Sequence, residues 1–279
     1  MSHPVTCIVP ARMGSSRFPG KPLFDIGGQP LVVRSARRAL AAKCFDRVVV
    51  ATEDAVIVDA CTHFGLECIL TPSFPTGTDR VAWAAQELGA PWVLNLQGDE
   101  PVFPLDLLRD LCALLPTDPD ALWTAADLAL DAHGVVDEDV VKIQLEPDSY
   151  RSPLAPEVPC RSRITAAVET APGAPPRDER NTSQTVSPAV DFFRTLPEGS
   201  QPNDFAVHVG VYGGSLAALQ RFAHLPIPPQ ETLRRIEPLR ALAHGMRVQA
   251  RKGTWARAAV DRREHISEVL DLLRQEGEL

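Results

Sequence analysis

The segment Pro10-Ala11-Arg12-Met13-Gly14-Ser15-Ser16-Arg17-Phe18-Pro19-Gly20-Lys21-Pro22 follows the first apolar run of the chain and concentrates groups that bind anions. Arg12, Arg17 and Lys21 offer two guanidinium forks and an ammonium. Ser15 and Ser16 add hydroxyls, and Gly14 and Gly20 let backbone N–H groups come close to a ligand. That set suits a polyphosphate. It is not a Walker loop, because five residues instead of four separate the two glycines and Pro22 stands where a metal-binding hydroxyl would be needed. A surface turn is the plain alternative. A second segment, Leu94-Asn95-Leu96-Gln97-Gly98-Asp99-Glu100-Pro101, reads as a buried strand that delivers Asp99 to a sheet edge. A carboxylate there can hold Mg²⁺ beside nucleotide phosphates. An exposed turn carboxylate is the alternative, and the nearby basic loop favours the metal.

Positioning such segments needs a particular scaffold. Short β-rich runs at Val5 to Pro10, Arg47 to Thr52, Glu67 to Leu70 and Trp92 to Gln97 alternate with helical stretches at Gln29 to Ala42, Ala55 to Phe64 and Asp79 to Leu88. This alternation predicts an α/β fold with a parallel sheet covered on both faces, whose ligands sit beyond the carboxyl ends of the strands. Strands are predicted at Leu122 to Asp127, Val140 to Glu146, Phe205 to Tyr212 and Val248 to Arg251. Helices are predicted at Gly214 to Ala223, Glu231 to Ala243 and Arg262 to Arg274. Ten of the 26 prolines lie between Pro147 and Pro202, so residues 147–204 read as an insertion into one domain spanning 1–279.

Composition bounds the partners. Thirty-six acidic and 28 basic residues give a net charge of −8, which opposes an extended nucleic-acid surface but leaves room for a small local basic site. No apolar run approaches the length of a membrane helix and no signal-peptide pattern opens the chain, so a cytoplasmic protein is expected. The six cysteines lack CxxC spacing and read as buried free thiols.

Three motifs in this order and at this spacing resemble the CMP-KDO synthetases, the 3-deoxy-manno-octulosonate cytidylyltransferases. They are the PAR-x-x-S-x-R-x-PGKP run from Pro10, Thr76-Gly77-Thr78-Asp79-Arg80, and Asn95 to Pro101. The similarity continues through Phe205 to Gly213, Arg235 to Arg240 and Val260-Asp261, and covers most of the chain outside 147–187. The resemblance implies a Rossmann-like, GT-A-like nucleotidyltransferase fold with a mixed or parallel sheet and an inserted dimerisation subdomain, hence a homodimer. It implies CTP as a substrate, a small anionic acceptor and Mg²⁺ as cofactor. Arg12 and Lys21 would hold the β- and γ-phosphates, with Ser15 and Arg17 in the same loop. Pro10, Ala11, Thr78, Arg80 and Gln97 would line the nucleotide, Arg80 and Gln97 reading cytosine and ribose. Asp99 and Asp261 would be the metal ligands. On the acceptor side the similar positions are Arg194, His208, Tyr212 and Glu237.

The chain departs from the family on the acceptor side. Gly214 and Ser215 replace an aromatic residue and an arginine, and Pro238 replaces a glutamine, removing polar contacts that a sugar would use. Arg161, Arg163, Arg177 and Arg180 in the insertion could supply others. These departures point to an acceptor smaller than KDO, a phosphonate such as phosphonoformate. A sugar acid is the alternative, and a catalytically inactive nucleotide-binding protein is the alternative of another class.

Overall fold

The computed structural model describes residues 3–14, 18–146, 185–255 and 258–279. The expectations for Ser15, Arg17 and the four insertion arginines lie outside the described residues. Strand β1 (Val5–Ala11) is buried along its whole length and pairs in parallel with β2 (Arg47–Thr52) and β4 (Trp92–Leu96), while β3 (Glu67–Leu70) extends the sheet beyond β2. Between them run α1 (Leu31–Ala42), α2 (Ala55–His63) and α3 (Gly77–Glu87). Each lies within two residues of its predicted bounds.

Alternation in β1 divides the core. Val5, Cys7, Val9 and Ala11 join α1, α2 and α4 (Leu105–Leu114) on one face of the sheet, whereas Ile8 joins α3 on the other. Helix α4 has no counterpart in the sequence-based expectations, although Leu107, Leu108 and Leu111 form its buried stripe at helical spacing.

The second half turns the sheet mixed. Strand β8 (Phe205–Ser215) runs antiparallel to β4 and to β5 (Leu122–Asp127), and its first residues pair with β6 (Lys142–Leu145), which follows the short helix α5 (Ala132–Val136). Strand β7 (Val186–Phe193) bridges β6 and β9 (Val248–Gly253), and β9 lies parallel to β5. Among the described residues nine strands thus form one sheet, ordered β3-β2-β1-β4-β8-β5-β9-β7-β6, with β6 folding back onto β8. Strand β7, which falls within the expected 147–204 insertion, is an integral strand of the sheet and carries its own proline. Pro188 interrupts nothing because β7 pairs with β9 only over Val186 to Pro188.

The helix predicted from Glu231 to Ala243 is two helices, α7 (Pro229–Arg234) and α8 (Pro238–Ala243), which follow α6 (Leu216–His224). Pro238 has no N–H for an intrahelical bond and its ring would meet the carbonyl of Arg234, so the helix stops there and Arg235 turns left-handed at φ 55°. After β9 the chain reaches a last helix, α9 (Ile266–Gln275). It packs Val269 and Leu273 with Phe18, Ile26, Leu31, Val102 and Val260 in a separate cluster beneath the basic loop.

Candidate nucleotide and acceptor site

A cleft of about 340 Å³ opens beyond the carboxyl ends of β1 and β4, where strand-helix alternation predicts a ligand. Pro10, Ala11, Arg12, Gly14 and Lys21 form one wall. Thr76, Gly77 and Arg80 at the start of α3 form another, and Gln97, Gly98, Asp99 and Glu237 complete it. Thr78, buried at the first turn of α3, stands just behind that wall.

Local structure explains each placement. Gly20 adopts φ 74°, a left-handed turn that starts a single helical turn at Lys21–Leu23 and points Lys21 back at the sheet. The loop is pinned from across the sheet, because Met13 N donates to Asp54 Oδ2 at 2.8 Å. Asp54 was not among the predicted residues; its place directly after β2 was the available signal. Gly98 lets the turn after β4 approach β1 so closely that a Cβ there would lie 2.8 Å from the Pro10 carbonyl oxygen. The backbone bond Val260 N to Asp99 O, 2.9 Å, then stitches the segment before α9 to this turn. Asp261 is thereby brought beside Asp99, 162 positions away in the chain.

The two carboxylates converge on one cation position. Lys21 Nζ lies 2.5 Å from Asp99 Oδ2 and 3.9 Å from Asp261 Oδ1. An ammonium held between two acidic oxygens marks the kind of donor set that takes a hard divalent ion. Among the described residues no three His, Cys, Asp or Glu side chains converge to hold a metal. A two-carboxylate site of this kind needs oxygens from a ligand to be complete.

Arg80 lines the cleft and also makes contacts within the protein. It is buried, and it donates from Nη1 to Ala11 O at 3.0 Å and from Nε to Thr71 Oγ1 at 3.2 Å, with Nη2 3.2 Å from Glu53 Oε2. Most of the fork is spent holding the end of β1 in shape. Ser73, Arg80 and Arg12 together hold the Glu53 carboxyl below the usual carboxylate range.

The predicted acceptor residues divide. His208 and Tyr212 point to the same side of β8 with rings 5.4 Å apart, and Gly210 between them leaves a gap facing Gln97 and Glu100. His208 is held by Thr124, Nε2 to Oγ1 3.0 Å, and by the edge of Phe192. Burial, and next the charge of Glu237, push the Tyr212 phenol well above its ordinary pKa, so it remains a neutral hydrogen-bonding group. Burial also raises the Glu237 carboxyl, with Asp79 and Glu231 adding to the effect and a bond to Thr78 opposing it.

Arg194 stands outside the cleft. Its guanidinium donates to the carbonyls of Arg234 (2.7 Å), Glu138 (2.8 Å) and Arg235 (3.2 Å). Two of these carbonyls are freed by the break between α7 and α8, so Arg194 caps α7 and supports the turn that presents Glu237.

The departures at Gly214 and Ser215 also lie outside the lining of the cleft. They pair with Val93 and Trp92 at the start of β4, about 13 Å along the strand from Gln97 at the spacing of extended chain. A Cβ on Gly214 would meet the Ala121 carbonyl at 3.2 Å, and Ser215 Oγ caps α6 by accepting from Ala218 N at 3.0 Å. These substitutions tighten packing at the far end of the sheet, and so the sequence-based ground for a smaller acceptor does not extend to them.

The cytidylyltransferase family profile matches residues 6–248. The chain belongs to the cytidylyltransferase family. It is 37% identical over 261 residues to the 3-deoxy-manno-octulosonate cytidylyltransferase of Halorhodospira halophila, covering 89% of each chain. It is 35% identical over 281 residues to the enzyme of the same name from Nitratidesulfovibrio vulgaris, covering 99% of each. Among solved structures this cytidylyltransferase superimposes on a CMP:2-keto-3-deoxy-manno-octonic acid synthetase complexed with CTP, with TM-score 0.76 and 27% identity over 98% of this chain and 99% of that one. A UDP-glucose pyrophosphorylase complexed with UDP-glucose shares the fold at TM-score 0.63 and 13% identity, covering 98% of this chain and 99% of that one. The protein is therefore a nucleotidyltransferase enzyme. No helix among the described residues is long and apolar enough to cross a membrane.

Proposed function

We propose that this cytidylyltransferase transfers CMP from CTP to 3-deoxy-manno-octulosonate, a sugar acid, and releases pyrophosphate. The observation that carries the CTP half is the cluster of Lys21, Asp99 and Asp261 at the carboxyl ends of β1 and β4, beside the exposed Arg12. The acceptor half rests on relatives named for that activity over nearly the whole chain, and on Gly210, which lies between His208 and Tyr212 on one side of β8 and faces Gln97 and Glu100. These comparisons support a sugar acid and not the phosphonate expected from the substitutions alone.

In this reading an acceptor hydroxyl oxygen attacks the α-phosphorus and gives up its proton to solvent, the bond to the bridging oxygen of the β-phosphate breaks, and pyrophosphate leaves. Arg12 and Lys21 stabilise the charge that collects on the departing group, and Gln97 with the backbone near Ala11 orients the nucleoside. Mg²⁺ suits the donor set of Asp99 and Asp261 and would screen the phosphate charge when bound. Glu237, Tyr212 and His208 orient the sugar hydroxyls. The same reading includes a homodimer through the second half, where Val136, Val190 and Leu233 are exposed. The test is pyrophosphate release with CTP, Mg²⁺ and, in turn, KDO, sialic acid and phosphonoformate. Turnover is expected with KDO. Turnover of phosphonoformate alone overturns the acceptor, and CTP binding without turnover of any acid overturns catalysis.

A further inference from the structure

We propose that Lys21 is a placeholder cation that occupies the Asp99–Asp261 pair in the nucleotide-free enzyme and makes divalent-metal binding conditional on the triphosphate. The inference rests on the proposed CTP site and adds an order of events to it. Lys21 Nζ reaches both carboxylates, at 2.5 and 3.9 Å, from a side chain that is only 13% exposed. The position is held by structure and is not a chance surface pairing. Lys21 starts a helical turn set by the left-handed Gly20, Phe18 O accepts its backbone N–H at 3.1 Å, and Phe18 is anchored in the α9 cluster. The backbone segments that carry Asp99 and Asp261 are tied together through the Val260 to Asp99 bond, which keeps both side chains on the same wall of the site.

Two carboxylates within reach of one ammonium repel each other and favour a cation between them. The Lys21 ammonium reaches both, and it competes directly with a metal ion for the same oxygens. A divalent ion arriving alone must displace Lys21 and leave a half-buried ammonium with no anion in its place. A triphosphate removes that obstacle, because its oxygens accept the Lys21 ammonium and release both carboxylates while adding ligands of their own. Metal and nucleotide therefore bind with positive coupling, and by linkage each raises the affinity of the other by the same factor.

Titration of the nucleotide-free protein with Mn²⁺, an oxygen-seeking stand-in for Mg²⁺ followed by loss of the free-ion electron paramagnetic resonance signal, tests this without catalysis. Wild type is expected to bind Mn²⁺ weakly. Lys21→Met and Lys21→Gln should each bind at least tenfold more tightly, Lys21→Arg should stay near wild type, and Lys21→Met combined with Asp99→Asn should lose the gain. Circular dichroism identifies any variant that fails to fold, and Lys21→Gln, close in length and polar, serves if Lys21→Met does not. Equal Mn²⁺ affinity in wild type and in the folded Lys21→Met or Lys21→Gln protein overturns the proposal. Pyrophosphate release by wild type is read separately, so failure of the CTP reading and failure of the placeholder role give different results.

Discussion

Arg240 Nη1 lies 3.0 Å from Asp79 Oδ1, joining the helix that follows Glu237 to the first turn of the helix that walls the nucleotide cleft. The same guanidinium, 1% exposed, grips Glu231 through Nε and Nη2 at 2.9 and 2.6 Å, while Asp79 Oδ2 accepts the hydroxyl of the N-cap Thr76 at 2.8 Å. One buried cation thus neutralises two carboxylates and fixes the acceptor wall relative to the nucleotide wall. Removing it leaves those charges buried and unmatched. Arg240→Met should lower stability by about 3 to 5 kcal/mol, and Arg240→Lys, which keeps charge but loses the fork, by less. Urea unfolding of both variants reads this, and an Arg240→Met protein as stable as wild type would remove the network from the argument.

Glu237 is expected to be held for function at a cost in stability. Its folded pKa is raised, so the folded protein keeps the proton more tightly than the unfolded chain. Stability therefore falls as pH rises from the ordinary carboxylate range through the folded value, and remains lower above it. Glu237→Gln removes this penalty. Its melting temperature should exceed that of wild type at pH 7 and match it near pH 4, while acceptor turnover is lost. An equal offset at both pH values would contradict the assignment.

Ser215 closes β8 at the end far from Gln97. As the N-cap of α6 it also donates to the Pro119 carbonyl at 2.7 Å. Ser215→Ala should cost about 1 kcal/mol in thermal or chemical unfolding. The acceptor KM should not move, since the residue sits at the opposite end of the sheet from Gln97.

Two glycines distinguish backbone clearance from ligand space. Gly98→Ala puts a methyl 2.8 Å from the Pro10 carbonyl and must push the Asp99 turn away, with a loss of about 1 to 3 kcal/mol and of most turnover. Gly210→Ala meets only Gln97 at 3.7 Å and Glu100 at 3.8 Å. It should fold normally, retain CTP affinity and raise the acceptor KM, as steady-state kinetics with each substrate varied would reveal.

Asp99→Ala should abolish pyrophosphate release while leaving the circular dichroism spectrum unchanged, because its carboxylate is partly exposed and contributes to the site more than to the core. Unchanged turnover would refute its role at the metal position.

Much of this molecule is local and therefore legible in the chain. Continuous apolar runs specify β1, β2 and β4, and the glycines and cations between Pro10 and Pro22 identify an anion loop without reference to anything distant. Residues 76–80 and 95–101 were recognisable for the same reason. Tertiary structure alone decided the remainder, because it depends on which carbonyl or carboxylate a side chain meets after the sheet closes. Spacing did not reveal that Arg194 would cap the break before Pro238, that Arg80 would also bind the Ala11 carbonyl, or that Gly214 and Ser215 would pair with the start of β4, at the far end from Gln97. Nor could it set Lys21 between Asp99 and Asp261: that meeting requires strand β4, the turn at Gly98 and the segment before α9 to be brought together by the packing of Val260 beside Phe18 and Val102 and by its backbone hydrogen bond to Asp99.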